Sequence, residues 1–203
     1  MTEGASVASR YHSYEDFWGR RCAQVFKQTD AETPSVDIYR FAPTWKVWAP
    51  AFGVHVYMTE GMASREMPPR AANDPRELRR VELCAYTRKV RESAPGMDAA
   101  ALALTALAHL PWRNTLSLQP LETVTWGSPM VEGSEMSAFF LVIPPEDQTG
   151  LIRASGAQQV MAVMTVSQRE CEMAIAEGTV ALVDRFEASG IPPLIDWDRK
   201  SVV

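Results

Sequence analysis

The chain of 203 residues holds only three cysteines and three histidines. Cys22, Cys84 and Cys171 lie far apart and form no CxxC pair, which argues against a zinc ribbon and against a disulfide framework. Reduced, partly buried thiols in a cytoplasmic protein are the simpler reading. The histidines have neither HxH nor HExxH spacing, so a histidine-based metal site has no support. A nucleophile elbow of the GxSxG type is missing, and so are GxGxxG and GxxxxGK[ST], the backbone cradles for phosphate. Basic charge is short as well. Net charge is -5 and the isoelectric point is near 5.3, which disfavours sequence-independent binding to nucleic-acid backbones. The opening "MTEGASVASRYHSYED" has no apolar core of signal-peptide length. The most apolar run, "MDAAALALTALAHL", is too short to span a bilayer. No repeat and no low-complexity tract is visible. These absences lead to the expectation of a soluble cytoplasmic protein without cofactor or metal.

What is present is an ordinary globular composition, 46% apolar and 22% charged. Residues 1–12 read as a flexible arm, and 13–203 as a single domain. "SYEDFWGRRCAQVFKQ" reads as a helix, with Ser13 as cap and Trp18, Cys22, Val25 and Phe26 as one apolar stripe. "SVDIYRF" alternates as a strand that Pro43 ends. "FGVHVYMTEG" places Phe52, Val54, Val56 and Met58 on one face and His55 and Tyr57 on the other. Residues 62–80 read mostly as a loop, and "RRVELCAYTR" as a strand. "DAAALALTALAHL" is a buried helix capped by Asp98 and stopped by Pro111. "ETVTWG" predicts a short strand. "SAFFLVI" and "QQVMAVMTV" are apolar on both faces, as central strands covered on both sides are. "SQRECEMAIAEG" carries a capping box, Ser167 with Glu170, and ends at Gly178. "TVALVDRFEAS" is a second helix, closed by Gly190, and the tail "LIDWDRKSVV" reads as a last strand. Helices and strands do not alternate regularly. The fold class is therefore α+β, with a mixed, largely antiparallel central sheet flanked by helices.

The candidates for chemistry have structural readings that we prefer. His109, close to Pro111, suits the carbonyl end of a helix. His55 lies inside a strand, and His12 in the arm. Gly127-Ser128-Pro129 reads as a turn. Glu132 with Glu135, and Asp196 with Asp198, are neighbouring carboxylates more easily read as solvated charge than as an acid/base pair, and for Asp196, Asp198 and Arg199 an internal ion pair or turn is the leading reading. Arg199 can hold a carboxylate through both arms of its fork. Trp45 and Trp48 lie between prolines. They are either a plug at one end of the sheet or an anchor for a partner.

Seven segments then fall in order: "VHVYMTEGMA", "RVELCAYT", "ALAHLPW", "VTWGSPM", "FFLVIPP", "MTVSQRECEMAIAEGTVALVDRF" and "DWDRKSVV". Together they resemble the suppressor of fused domain family from about Phe52 to Val203. That family's pattern of a Tyr-x-Ser/Thr-x-Gly strand, a Glu-Leu strand, a capped helix and a terminal Asp-x-x-Arg falls here on eight positions. These are Gly61, Glu82, Leu83, Ser167, Glu170, Gly178, Asp196 and Arg199. Cys171 departs from the pattern, since a leucine is commoner there. The sequence shows no sign of a second half like that of the animal protein, so that protein's transcription-factor regulation is not expected to transfer.

The resemblance implies a non-enzymatic, mixed α/β protein-binding domain. Bacterial members look like immunity proteins that neutralise a toxin domain, and an acidic balance suits a basic partner. The partner-binding candidates are Trp45, Trp48, Tyr57, Glu60, Asp196 and Arg199, with the 62–80 and 144–157 loops as further surface. Two rivals stay open. One is a hydrolase-like enzyme with a site near His55 or His109. The other is a structural subunit of a homo-oligomer, which would carry a large apolar patch.

Overall fold

The computed structural model describes residues 13–28, 33–44, 53–70, 77–144 and 148–203. The predicted arm at 1–12, Phe52, Trp45 and Trp48 lie outside the described residues. The chain opens with helix α1 (residues 13–18), then strands β1 (Cys22–Gln28), β2 (Val36–Thr44), β3 (Val54–Glu60) and β4 (Val81–Thr87). A two-stranded hairpin, β5 (Glu92–Ala94) and β6 (Met97–Asp98), leads into helix α2 (Ala99–Asn114). Next come β7 (Glu122–Thr125), β8 (Met136–Val142), α3 (Gln148–Ser155) and β9 (Gln159–Ser167). Helices α4 (Gln168–Glu177) and α5 (Thr179–Ala188) follow.

Seven strands form one sheet in the order β1-β2-β3-β4-β9-β8-β7. Every neighbouring pair is antiparallel except β4 with β9, which run parallel. The expected α+β class with a largely antiparallel mixed sheet is what the chain adopts. Side chains along β4 and β9 alternate between two cores, as strand pleating requires. Leu83, Ala85, Met161 and Val163 pack under α2 with Ile38, Tyr57 and Phe139. Cys84, Tyr86, Val160 and Ala162 face the other way, against Tyr14, Trp18 and Leu151 of α1 and α3. Helices α4 and α5 close the far end of that second face over Ala138, Phe140, Met164 and Val166. This two-sided cover explains why β8 and β9 read as continuous apolar runs.

Several expectations are corrected. The helix predicted across 13–28 stops at Trp18, because Gly19 adopts a left-handed φ of 62°. The rest of that segment is the edge strand β1. Its helical stripe was coincidental: a bulge between Cys22 and Gln24 turns Cys22 and Phe26 to opposite cores. Strand β2 continues past Pro43 to Thr44, with an irregular register after Phe41 where proline supplies no ladder donor. Pro111 sits inside α2, and the helix ends one turn later, where Thr115 takes φ 52° and its N–H donates to the Pro111 carbonyl. His109 is therefore not a terminal cap. It is buried, with Nδ1 2.6 Å from the Thr33 hydroxyl. The 144–157 segment holds helix α3 rather than being all loop. The tail after Leu194 is not a strand, although the Ile195 N–H donates to the Tyr86 carbonyl at 2.8 Å.

Candidate functional site

Four carboxylates are buried among the described residues, and besides Glu60 each of the other three, Glu82, Asp98 and Glu170, fastens a different joint of the fold. The first is Glu82 on β4. The Thr59 hydroxyl donates to its Oε2 at 2.5 Å, and the Gly61 and Ala63 N–H groups donate to Oε1 at 3.1 and 2.9 Å. Glu82 thus holds the tight turn after β3, where Gly61 has φ 112° and a Cβ would lie 2.2 Å from the Ser35 carbonyl oxygen. Burial pushes the Glu82 carboxyl up to about 7, although all three donors favour its charged form.

The second is Asp98. Its Oδ1 caps α2 through the N–H groups of Ala100 and Ala101. Its Oδ2 accepts from the Tyr57 hydroxyl at 2.8 Å and from Arg40 at 2.9 Å. The third is Glu170, in the capping box of α4 with Ser167. Burial raises its pKa, but the Arg199 guanidinium and the N–H groups of Ser167 and Val202 outweigh that and hold the carboxyl below the usual range. Arg199 also donates to the Thr165 carbonyl at 2.7 Å and lies over the Phe186 ring.

The expected binding residues do not form one surface. Tyr57 is fully buried and committed to Asp98. Glu60 is only 8% exposed and shares a hydrogen bond with Tyr39. Asp196 and Arg199 do come together, on one wall of a cleft of about 240 Å³. Asp196, Asp198 and Arg199 line that wall, residues 87–89 with Arg91 the other, and Leu194, Ile195 and Trp197 lie beneath. Asp198 bridges the two, 3.3 Å from the Lys89 ammonium and 2.9 Å from the Arg91 guanidinium. Sequence reasoning missed Lys89, Arg91 and the bridging role of Asp198, because nothing local marks an ion pair that spans the chain.

Neither histidine considered for an enzyme site is fully exposed. His109 is 2% exposed and occupied by Thr33. His55 is half-buried, and its imidazole is held below the ordinary histidine pKa by burial and by Arg40. Cys84 and Cys171 are buried thiols, and burial pushes Cys171 up to about 11. Ser128 lies in an exposed bend. Among the described residues no group of three His, Cys, Asp or Glu side chains is placed to hold a metal ion. Among them also, no helix is long and apolar enough to cross a membrane.

The family model described as suppressor of fused protein (SUFU) matches residues 32–200. Among solved structures, a suppressor of fused homolog from Neisseria gonorrhoeae is similar with a TM-score of 0.71 at 19% identity, covering 97% of this chain and 96% of that one. A chain of the Sufu-Fu complex is similar with a TM-score of 0.65 at 11% identity, covering 95% and 90%. Drosophila Suppressor of Fused is similar with a TM-score of 0.55 at 12% identity. The match takes in 84% of this chain but 43% of that longer one. A search of curated proteins finds no match.

Proposed function

The chain belongs to the suppressor of fused family, and from that premise we propose that it is a non-catalytic protein-binding domain. One observation carries the reading. The residues that mark the family in this sequence are spent on scaffolding: Gly61 and Glu82 in one buried network, Ser167, Glu170 and Arg199 in another. A perturbed carboxylate is a functional candidate when it faces a cleft. Glu82 and Glu170 are buried and hydrogen-bonded within the fold instead. That a structural neighbour was solved as the Sufu-Fu complex supports a protein as the partner class.

The finer reading is an immunity protein of the cytoplasm, whose partner is a toxin domain that it neutralises. Net charge of -5 supports it, because an acidic surface complements and steers a basic nuclease-like face. The binding surface would draw on the Trp45–Trp48 segment and the rims of the 62–80 and 144–157 segments. Co-expression with the product of the adjacent gene tests this. Restored growth and a purified complex of fixed stoichiometry are the expected results. Unrelieved toxicity, or no complex, contradicts the toxin reading while leaving other protein partners open.

A further inference from the structure

The sheet changes its rule at one place. Strands β4 and β9 are its parallel pair, with Ala85 opposite Val163. Beyond that point they part, β4 into the turn at 88–91 and β9 into α4. Residues 194–196 wedge between the diverging ends. The Ile195 N–H donates to the Tyr86 carbonyl, and the Asp196 N–H donates to the Thr165 hydroxyl at 3.0 Å. Crevices outside the carboxyl ends of parallel strands, where neighbouring strands leave in different directions, are where open sheets bind ligands. The 240 Å³ cleft lies there.

Its chemistry is specific. The residues beneath it, Leu194, Ile195 and Trp197, are buried and apolar. Arg88, Lys89 and Arg91 line one side, facing the carboxylates of Asp196 and Asp198 on the other, so three cations stand against two anions. Arg199 adds no net charge, being neutralised by Glu170 at 2.6 Å. Lys89 and Arg91 share a single carboxylate, Asp198. All three side chains are well exposed, at 72%, 43% and 41%. Such exposed pairs contribute little to stability, so an outside anion competes with them readily. The ammonium and the guanidinium fork also have more donors than one carboxylate can use.

We propose that this cleft receives a carboxylate carried on a short aliphatic stem, and that Asp198 is its internal stand-in, displaced when the ligand binds. The stem rests on the apolar floor, and the carboxylate takes over Lys89 and Arg91. This goes beyond protein binding in general and does not depend on which partner the domain has.

Calorimetric titration of the full chain at low salt tests it. Two probes separate the sources of the carboxylate. One is glutarate, and the other is an acidic pentapeptide ending in two glutamates, with its bis-glutamine amide as neutral control. Asp198→Asn removes the stand-in and should tighten binding of the acidic probe by roughly three- to tenfold. Lys89→Glu with Arg91→Glu should weaken it at least about tenfold. Asp184→Asn, an exposed carboxylate on α5, should leave it unchanged, which separates displacement from bulk charge. Binding of peptide without glutarate assigns the carboxylate to a protein chain, and binding of both admits free acids too. Either supports the site. No binding by either acidic probe, equal binding of the amide, or no gain from Asp198→Asn overturns it.

Discussion

Arg199 and Glu170 meet at 2.6 Å across 29 positions of sequence, with side-chain exposures of 7% and 0%. The contact is doubled by a second nitrogen–oxygen pair at 2.7 Å. It ties the last described turn of the chain to the start of α4. A bidentate pair of this kind cannot lose one member cheaply, because the other stays buried and charged.

Arg199→Met should therefore cost about 3–5 kcal/mol of unfolding free energy. Combining it with Glu170→Gln should cost clearly less than the two single changes added together. Urea denaturation of the four species measures this. A loss below about 1 kcal/mol for Arg199→Met, the range of a surface pair, would mean that the pair is not a fold-holding joint.

Gly61 makes a sharper demand. Any Cβ there would collide with the Ser35 carbonyl oxygen, and the φ of 112° is one that L side chains avoid. Gly61→Ala should destabilise by about 3 kcal/mol or more. Gly133→Ala should cost only about 1 kcal/mol, since its φ is also positive but the space around it is open. Thermal melts of both variants check the contrast.

Glu82 predicts a pH dependence with a definite sign. Its carboxyl titrates near 7 when folded, against an ordinary value of 4.5. Between those values the folded state binds more protons than the unfolded state, so stability falls as pH rises. The contribution is complete below the unfolded value and is lost on the way up through about 7, by about 3 kcal/mol in all. Glu170 acts oppositely: its lowered pKa gives stability that is lost as pH falls through the folded value. Glu82→Gln should flatten the neutral limb alone, as read from unfolding midpoints between about pH 5 and 8.

Much of this was legible in the sequence. Strand β3 follows from its alternation, β8 and β9 follow from runs of apolar residues, and the α4 capping box follows from Ser167 and Glu170. The failures have physical causes. Trp18, Cys22, Val25 and Phe26 keep a helical spacing, yet one glycine and one bulge make the second half an edge strand. Pro111 reads as a stop, but a helix buried along most of its length tolerates one missing N–H. The bridging of Lys89 and Arg91 by Asp198 depends on a loop and a tail segment that meet only after folding. Of the expected partner residues, Asp196 and Arg199 share one wall of the cleft, while Tyr57 lies in the core. A tyrosine within a buried strand gives no local sign of which way it turns.

The most direct test of the protein-binding reading is retrieval of the tagged full chain from its native cells, followed by recombination of the purified proteins and mass determination by light scattering. A heteromeric complex of fixed stoichiometry is the predicted result. A chain that retains nothing and runs alone as a monomer, or that assembles only with copies of itself, would contradict it.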